Sequence, residues 1–229
     1  WLAPSASGAT ATSSARSRWR ATKLTKGMGR SGRCDSTSFD SFWASFCMKS
    51  KLAACVANGW PHDPGYLEVD HPLQQSITAA IDELTGEPNT NIGVDGCGAP
   101  AHAFSLAGLA RAFRAIATGA AGPAGDAVYA AMTGHPEMVG GATRDVTVFM
   151  RHVPGLMAKD GADGVFAAAL PDGRAVALKV ADGGDRARPP LMAAALAALG
   201  VDVAEVAPLV AQPIMGHGRP VGEVRAIAP

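Results

Sequence analysis

Three short stretches set reactive side chains among glycines, where chain elements end. In Ile92-Gly93-Val94-Asp95-Gly96-Cys97-Gly98-Ala99-Pro100 an acid and a thiol lie between three glycines, and a proline closes the run. Glycine permits positive φ and close approach of backbone to a ligand. A thiol held among peptide N–H groups can be a nucleophile, a metal ligand or an inert buried group. A tight turn around a buried cysteine explains the same residues. In Thr133 to Gly141 the pair His135 and Glu137 can act as acid and base, or bind a ligand carboxylate through one imidazole nitrogen. The pair lacks HExxH zinc spacing, and a loop with a polar anchor accounts for it equally. In Pro154 to Val165, Lys159 stands at a strand end before a glycine-rich turn. Such a lysine can hold an anion or, if buried, take up a proton because desolvation disfavours its charge. A solvated turn lysine is the plainer alternative, and Lys179 is a weaker candidate for the same roles. His71 before Pro72 reads as a helix entry. His62, His102, His152 and His217 have no partners in sequence.

These stretches need elements to position them. Leu73, Ile77, Ala80, Ile81 and Leu84 form one stripe behind Pro72, with Gly86 just past the end, which predicts an amphipathic helix. Ser105 is placed to cap a second helix that runs through Leu106, Leu109, Phe113 and Ile116 to Gly119. Asp126 to Thr133, Thr143 to His152 and Pro190 to Leu199 are predicted as three more. Gly164 to Leu170 and Ala175 to Val180, joined by Pro171-Asp172-Gly173-Arg174, predict a hairpin. Ala211 to Met215 and Val221 to Ile227, joined by Gly216-His217-Gly218-Arg219, predict another. Hairpins with helices between them imply an α+β fold, an antiparallel sheet packed with helices.

Composition narrows the function classes. The 229 residues are 48% hydrophobic and 17% charged, with formal net charge zero, which argues against a chain built mainly to bind nucleic acid. The zero is a sum of opposites: residues 1–51 carry +7 and the remainder −7. Residues 1–51 hold eleven serines, and the apolar residues there (Trp1, Leu2, Trp19, Leu24, Phe39, Phe42, Trp43, Phe46) are read as lacking a sustained period. Residues 1–51 are therefore expected to be disordered or unrelated to the rest, with a domain over 52–229. Arg16 to Arg20 is a weak basic cluster, the sole support for a nucleic-acid-binding tail. Cys34, Cys47, Cys55 and Cys97 include no CxxC pair, and their spacings of 13, 8 and 42 match no zinc finger. With an ample apolar core the chain does not need disulfides, so a cytoplasmic setting is expected. The longest apolar run, Leu191 to Leu199, is too short for a membrane span. No signal peptide is read at Trp1 to Thr12, and a start at Trp suggests a fragment or a processed product.

Taken together, five strings follow one another in an order and spacing that resembles the bacterial L-asparaginase II family. They are Gly65 through Gln75, Ile92 to Pro100, His135 to Gly141, Pro154 to Phe166 and Ala175 to Arg188; Gly222-Glu223-Val224-Arg225 is similar to the family's ending. The resemblance covers residues 52–229 and only the back part of a family member. It implies a fold like the serine β-lactamases and glutaminases, with its N-terminal part missing here, and hydrolysis of L-asparagine to L-aspartate and ammonia. In that family a serine activated by a lysine three residues on attacks the amide, a second serine and lysine assist, and zinc is held by cysteines and a lysine. The resemblance makes Lys159 the catalytic lysine of the second pair and Cys97 a zinc ligand. Asp95, Gly96, His135 and Glu137 are expected to bind substrate. It leaves a homodimer open.

The departures are specific. No serine in the chain has a lysine three residues later. Where the family has Cys-Ser-Gly-Lys-His, this chain reads Cys47-Met48-Lys49-Ser50-Lys51. The expectation is an asparaginase by descent, inactive or truncated, with zinc lost and Cys97 a free, partly buried thiol facing the former substrate cleft. The alternative is a non-catalytic protein that binds an amino acid or pairs with another subunit.

Overall fold

The computed structural model describes residues 39–227, with side chains from Lys49 onward. Among them, backbone contacts separate two units: residues 39–75 with 94–99, and residues 76–93 with 100–227.

The first unit begins with helix α1 (Phe39–Asn58). Residues 1–38 of the segment expected to be disordered lie outside the described residues. Residues 39–51 are helical, and the boundary drawn at Lys51 and Leu52 falls inside α1. Phe39, Phe42, Trp43 and Phe46 are spaced at three, four and seven, which is a helical period after all. A one-turn 3₁₀ helix, Pro64–Leu67, follows, its Asp63 side chain accepting from the Gly65 N–H at 2.8 Å. His71 then enters helix α2 (Pro72–Thr85) as the sequence predicts. Its Nδ1 accepts from the Leu73 N–H at 3.1 Å, so Nε2 carries the proton and donates to the Pro61 carbonyl at 3.0 Å. The ring satisfies one of the orphan donors of the helix start, which Pro72 itself cannot supply.

The second unit is built on a three-stranded antiparallel sheet in the order β3 (Met157–Asp160), β4 (Val165–Ala169), β5 (Ala175–Lys179). Two strands, β1 (Asn91–Val94) and β2 (Pro100–Ala103), precede it as a separate hairpin that sequence reading left as a turn. Strand alternation sends side chains to two cores. One face of the sheet presents Ala158, Phe166, Ala168, Val176 and Leu178 to helices α6 (Asp145–His152) and α7 (Arg188–Ala198). Phe149, Met192 and Leu196 fill that side, and the Phe149 and Phe166 rings meet edge to face with centroids 5.8 Å apart. The other face is almost all alanine: Ala167, Ala169, Ala175 and Ala177, with Met157. Small side chains there let helix α3 (Leu106–Ala117) lie close, with Ala110 and Ala117 against the sheet, beside helix α4 (Gly122–Gly134). Helices thus cover both faces.

Four predicted helices of this unit are present, with shifted ends. Ser105 caps α3 by accepting from the Gly108 N–H at 2.9 Å. Helix α4 begins four residues earlier than predicted because Pro123 sits in its first turn, where a missing N–H costs nothing. Two helices of four or five residues are new: α5 (Pro136–Gly140), which was read as a loop, and α8 (Ala207–Val210), which was assigned no element; both are too short to show a period. The last hairpin pairs β6 (Ala211–Gly216) with β7 (Arg219–Arg225) through His217-Gly218. Both loop residues have positive φ, 48° and 74°, as a two-residue type I′ turn requires. No helix among the described residues is long and apolar enough to cross a membrane.

Candidate functional site

Where β3 ends, a cleft of about 510 Å³ is lined by Arg144, Lys159, Asp160, Gly161, Ala162, Asp163, Gly183, Asp185 and Arg188. Three elements bring its charges together. Strand β3 carries Lys159 and Asp160, the residue before α6 is Arg144, and Arg188 opens α7. Asp163 holds its loop in the left-handed region at φ 54°, which asparagine and aspartate tolerate better than most residues. Gly164, at φ 71°, lies against Val180 so closely that a Cβ would stand 2.7 Å from the valine Cβ. The two loops that bound the cleft are therefore packed on each other.

At the floor sits Asp160, 4% exposed and shared by three cations. Lys159 Nζ donates to Asp160 Oδ1 at 2.8 Å and to its carbonyl oxygen at 2.6 Å. Arg144 donates to Oδ2, and Arg188 Nη2 lies 3.4 Å from the same oxygen. Burial alone would raise the Asp160 pKa. The Lys159 hydrogen bond and the positive charges of Lys159, Arg144 and Arg188 outweigh it and hold the carboxyl below its ordinary value. Arg188 is itself 5% exposed. It donates to both oxygens of Asp145, at 3.0 and 3.2 Å, and to Asp185 at 2.9 Å, and its guanidinium lies 5.8 Å from the Phe166 ring centroid. Burial would lower its pKa, but the Asp145 hydrogen bonds and the charges of Asp145, Asp160 and Asp185 raise it.

Of the two readings of Lys159, a buried base or a solvated turn lysine, the exposure fits the second. Its side chain is 48% exposed and bound to an ionised carboxylate, so its immediate chemistry is that of a fixed cation. Arg144, also half exposed, offers further N–H donors, and Asp163 adds a carboxylate to the lining. Among the described residues the lining contains no serine, threonine or cysteine, so the cleft can hold a charged ligand but offers no hydroxyl or thiol nucleophile there.

The remaining candidate residues lie elsewhere. His135 and Glu137 do not line the cleft. His135 Nδ1 is 3.8 Å from Glu137 Oε1, and Arg151 Nη2 is 3.6 Å from Glu137 Oε2. The Glu137 carboxyl is held below its ordinary value chiefly by its own backbone N–H at the start of α5, with help from Arg151 and His135. Asp95, Gly96 and Cys97 form the tip between β1 and β2, in the other unit. Asp95 Oδ1 accepts from the Gly96 N–H at 2.7 Å, and Oδ2 accepts from the Cys97 thiol at 3.5 Å. Gly98, at φ 83°, turns the chain back so that the Asp95 N–H reaches the Ala99 carbonyl at 2.8 Å. The thiol is free and partly buried.

Zinc needs several donors at one point, usually four. Cys97 has one carboxylate beside it, and no group of three or more His, Cys, Asp or Glu gathers among the described residues. The Cys47 side chain lies outside them. Among the described residues the donors do not make a zinc site.

Sequence reasoning missed Arg144, Asp160 and Arg188. Each stands beside a residue it did consider, but the partners are 16, 28 and 43 residues apart, and no local period links them.

No curated protein matches the chain. The family model described as L-asparaginase II matches residues 49–226, a span that contains the cleft, the Asp95 to Cys97 tip and His135 with Glu137. The chain belongs to the L-asparaginase II family.

Proposed function

We propose that residues 52–229 are the back part of an asparaginase-type amidohydrolase domain, of the serine β-lactamase and glutaminase fold, whose substrate is L-asparagine. The observation that carries this reading is the family match over residues 49–226 together with Lys159 at the wall of a charged cleft. Lys159 then corresponds to the lysine of the family's second serine–lysine pair, and Asp95, Gly96, His135 and Glu137 to substrate contacts. Cys97 corresponds to a zinc-binding cysteine left without its partners.

As it stands, this chain hydrolyses no asparagine. No serine has a lysine three residues on, and without an activated nucleophile the rest of the site cannot replace the lost rate enhancement. Ammonia release from L-asparagine, measured on this chain beside one carrying a family-type front, tests both statements. The first should stay at background and the second should turn over. Turnover by the chain alone that disappears in Lys159→Ala would overturn the claim of inactivity.

One observation favours a second reading, a non-catalytic amino-acid-binding protein. Among the described residues the cleft lining balances three cations against three carboxylates and holds no hydroxyl or thiol nucleophile. Saturable binding of L-asparagine or L-aspartate without ammonia release, even in the chain with a family-type front, would decide for it.

A further inference from the structure

Lys159 and Asp160 are consecutive on β3, so their Cβ atoms leave opposite faces of the sheet. Contact between them does not follow from their being neighbours. Lys159 nevertheless bends round the strand end to place Nζ on both the carbonyl and the carboxylate of Asp160, at 2.6 and 2.8 Å. The carboxylate is a fixed target. Its side chain is 2% exposed, with Oδ1 given to Lys159 and Oδ2 to the two arginines. Behind it Arg188 is clamped by both oxygens of Asp145 and by Asp185.

We infer that Asp160 is the positioning residue of Lys159. It holds the ammonium at the cleft wall and uses two of its three N–H donors, leaving one to meet a ligand. A flexible four-carbon side chain becomes a single directed donor. The inference rests on the reading that Lys159 belongs to an asparaginase-type site, but its test uses no asparagine.

The alternative is that Asp160 only ties β3, α6 and α7 together, and Lys159 touches it incidentally. Proton–nitrogen correlation spectra of the full chain, with its lysines labelled with nitrogen-15, separate the two. The chain has six lysines, and loss of a signal in Lys159→Arg assigns Lys159. Lys179, whose Nζ donates to the Val180 carbonyl at 2.6 Å, is the internal control. A slowly exchanging Lys159 ammonium signal is expected. The slow signal should be lost in Asp160→Asn, where the remaining carbonyl bond leaves Lys159 exchanging as fast as Lys179, while Lys179 itself is unchanged. The slow signal should persist in Asp145→Asn, which loosens Arg188 and lowers the melting temperature without touching Lys159. If Asp160→Asn fails to fold, acid titration of the unaltered chain replaces it. The Lys159 Nζ shift should then move with the same midpoint as the Asp160 carboxyl carbon shift. Survival of the signal in folded Asp160→Asn, its loss in folded Asp145→Asn, or a midpoint that tracks another carboxyl would overturn the inference. Release of Lys159 in Asp160→Asn, with no ammonia from the chain carrying a family-type front, would leave the inference standing and sink the asparaginase reading alone.

Discussion

In hairpin β4–β5 every residue from Phe166 to Ala169 and from Ala175 to Leu178 is buried, whereas in β6–β7 only Val224 and three residues of β6 are even partly covered. Both are antiparallel, both were legible from turn residues between β-prone runs, and both close through tight turns. They differ in what lies over them. β4–β5 gains a third strand and helices on both faces, so its side chains leave water and its backbone bonds are shielded. β6–β7 is a two-stranded sheet with Met215 55% and Val221 69% exposed. Two strands alone are marginal in water. The comparison teaches that strand pattern and turn chemistry specify pairing, while the stability of the pair comes from neighbours.

Side-chain truncation should separate the hairpins most. Phe166→Ala removes a ring that is fully buried between α6, α7 and the sheet and should cost about 3–5 kcal/mol. Val221→Ala should cost under about 0.5 kcal/mol, as surface changes do. Urea unfolding of both variants checks this, and equal losses would mean that β6–β7 is covered in solution.

A smaller contrast concerns the turns. Gly164→Ala must place a Cβ at 2.7 Å from Val180 and keep a φ of 71°, so overpacking adds to strain and should cost about 1–3 kcal/mol. Gly218→Ala keeps a φ of 74° but meets nothing within 4 Å, and should cost only the strain, about 1 kcal/mol. A Gly218 variant hurt as much as the Gly164 one would show hidden packing at the last turn.

The smallest effect is the dependence on pH that Asp160 contributes. The folded-state pKa of Asp160 lies below its ordinary value of 3.8. Its contribution is therefore fully present above that value and is lost as pH falls through the depressed one. Stability measured down through this window should fall less steeply in Asp160→Asn than in the unaltered chain. The exposed Glu223–Arg225 pair of β7, 3.5 Å apart, should add no detectable slope when Glu223 is changed to Gln. An unchanged slope in Asp160→Asn would mean that the three cations do not hold the carboxylate ionised.

Much of the architecture was written in local residue choices. Pro72 and Gly86 bracket α2, Ser105 caps α3, and Pro171-Asp172-Gly173-Arg174 turns β4 into β5, because caps and turns are satisfied within a few residues of chain. The same locality explains the misses. Helices α5 and α8 are too short to repeat a period, and the helical spacing of Phe39, Phe42, Trp43 and Phe46 is diluted by serines.

The sequence by itself determined the family, through five motifs in register, and marked Asp95, Cys97, His135, Glu137 and Lys159 as the residues with chemistry to offer. It also showed that no serine in it has a lysine three residues on. Only the tertiary structure decided what surrounds Lys159. A lysine's role depends on which charges share its surroundings, and Arg144, Asp160 and Arg188 reach one point from three different elements. No residue type or spacing in the chain announces that meeting, because it is produced by helices α6 and α7 packing on the same face of one sheet.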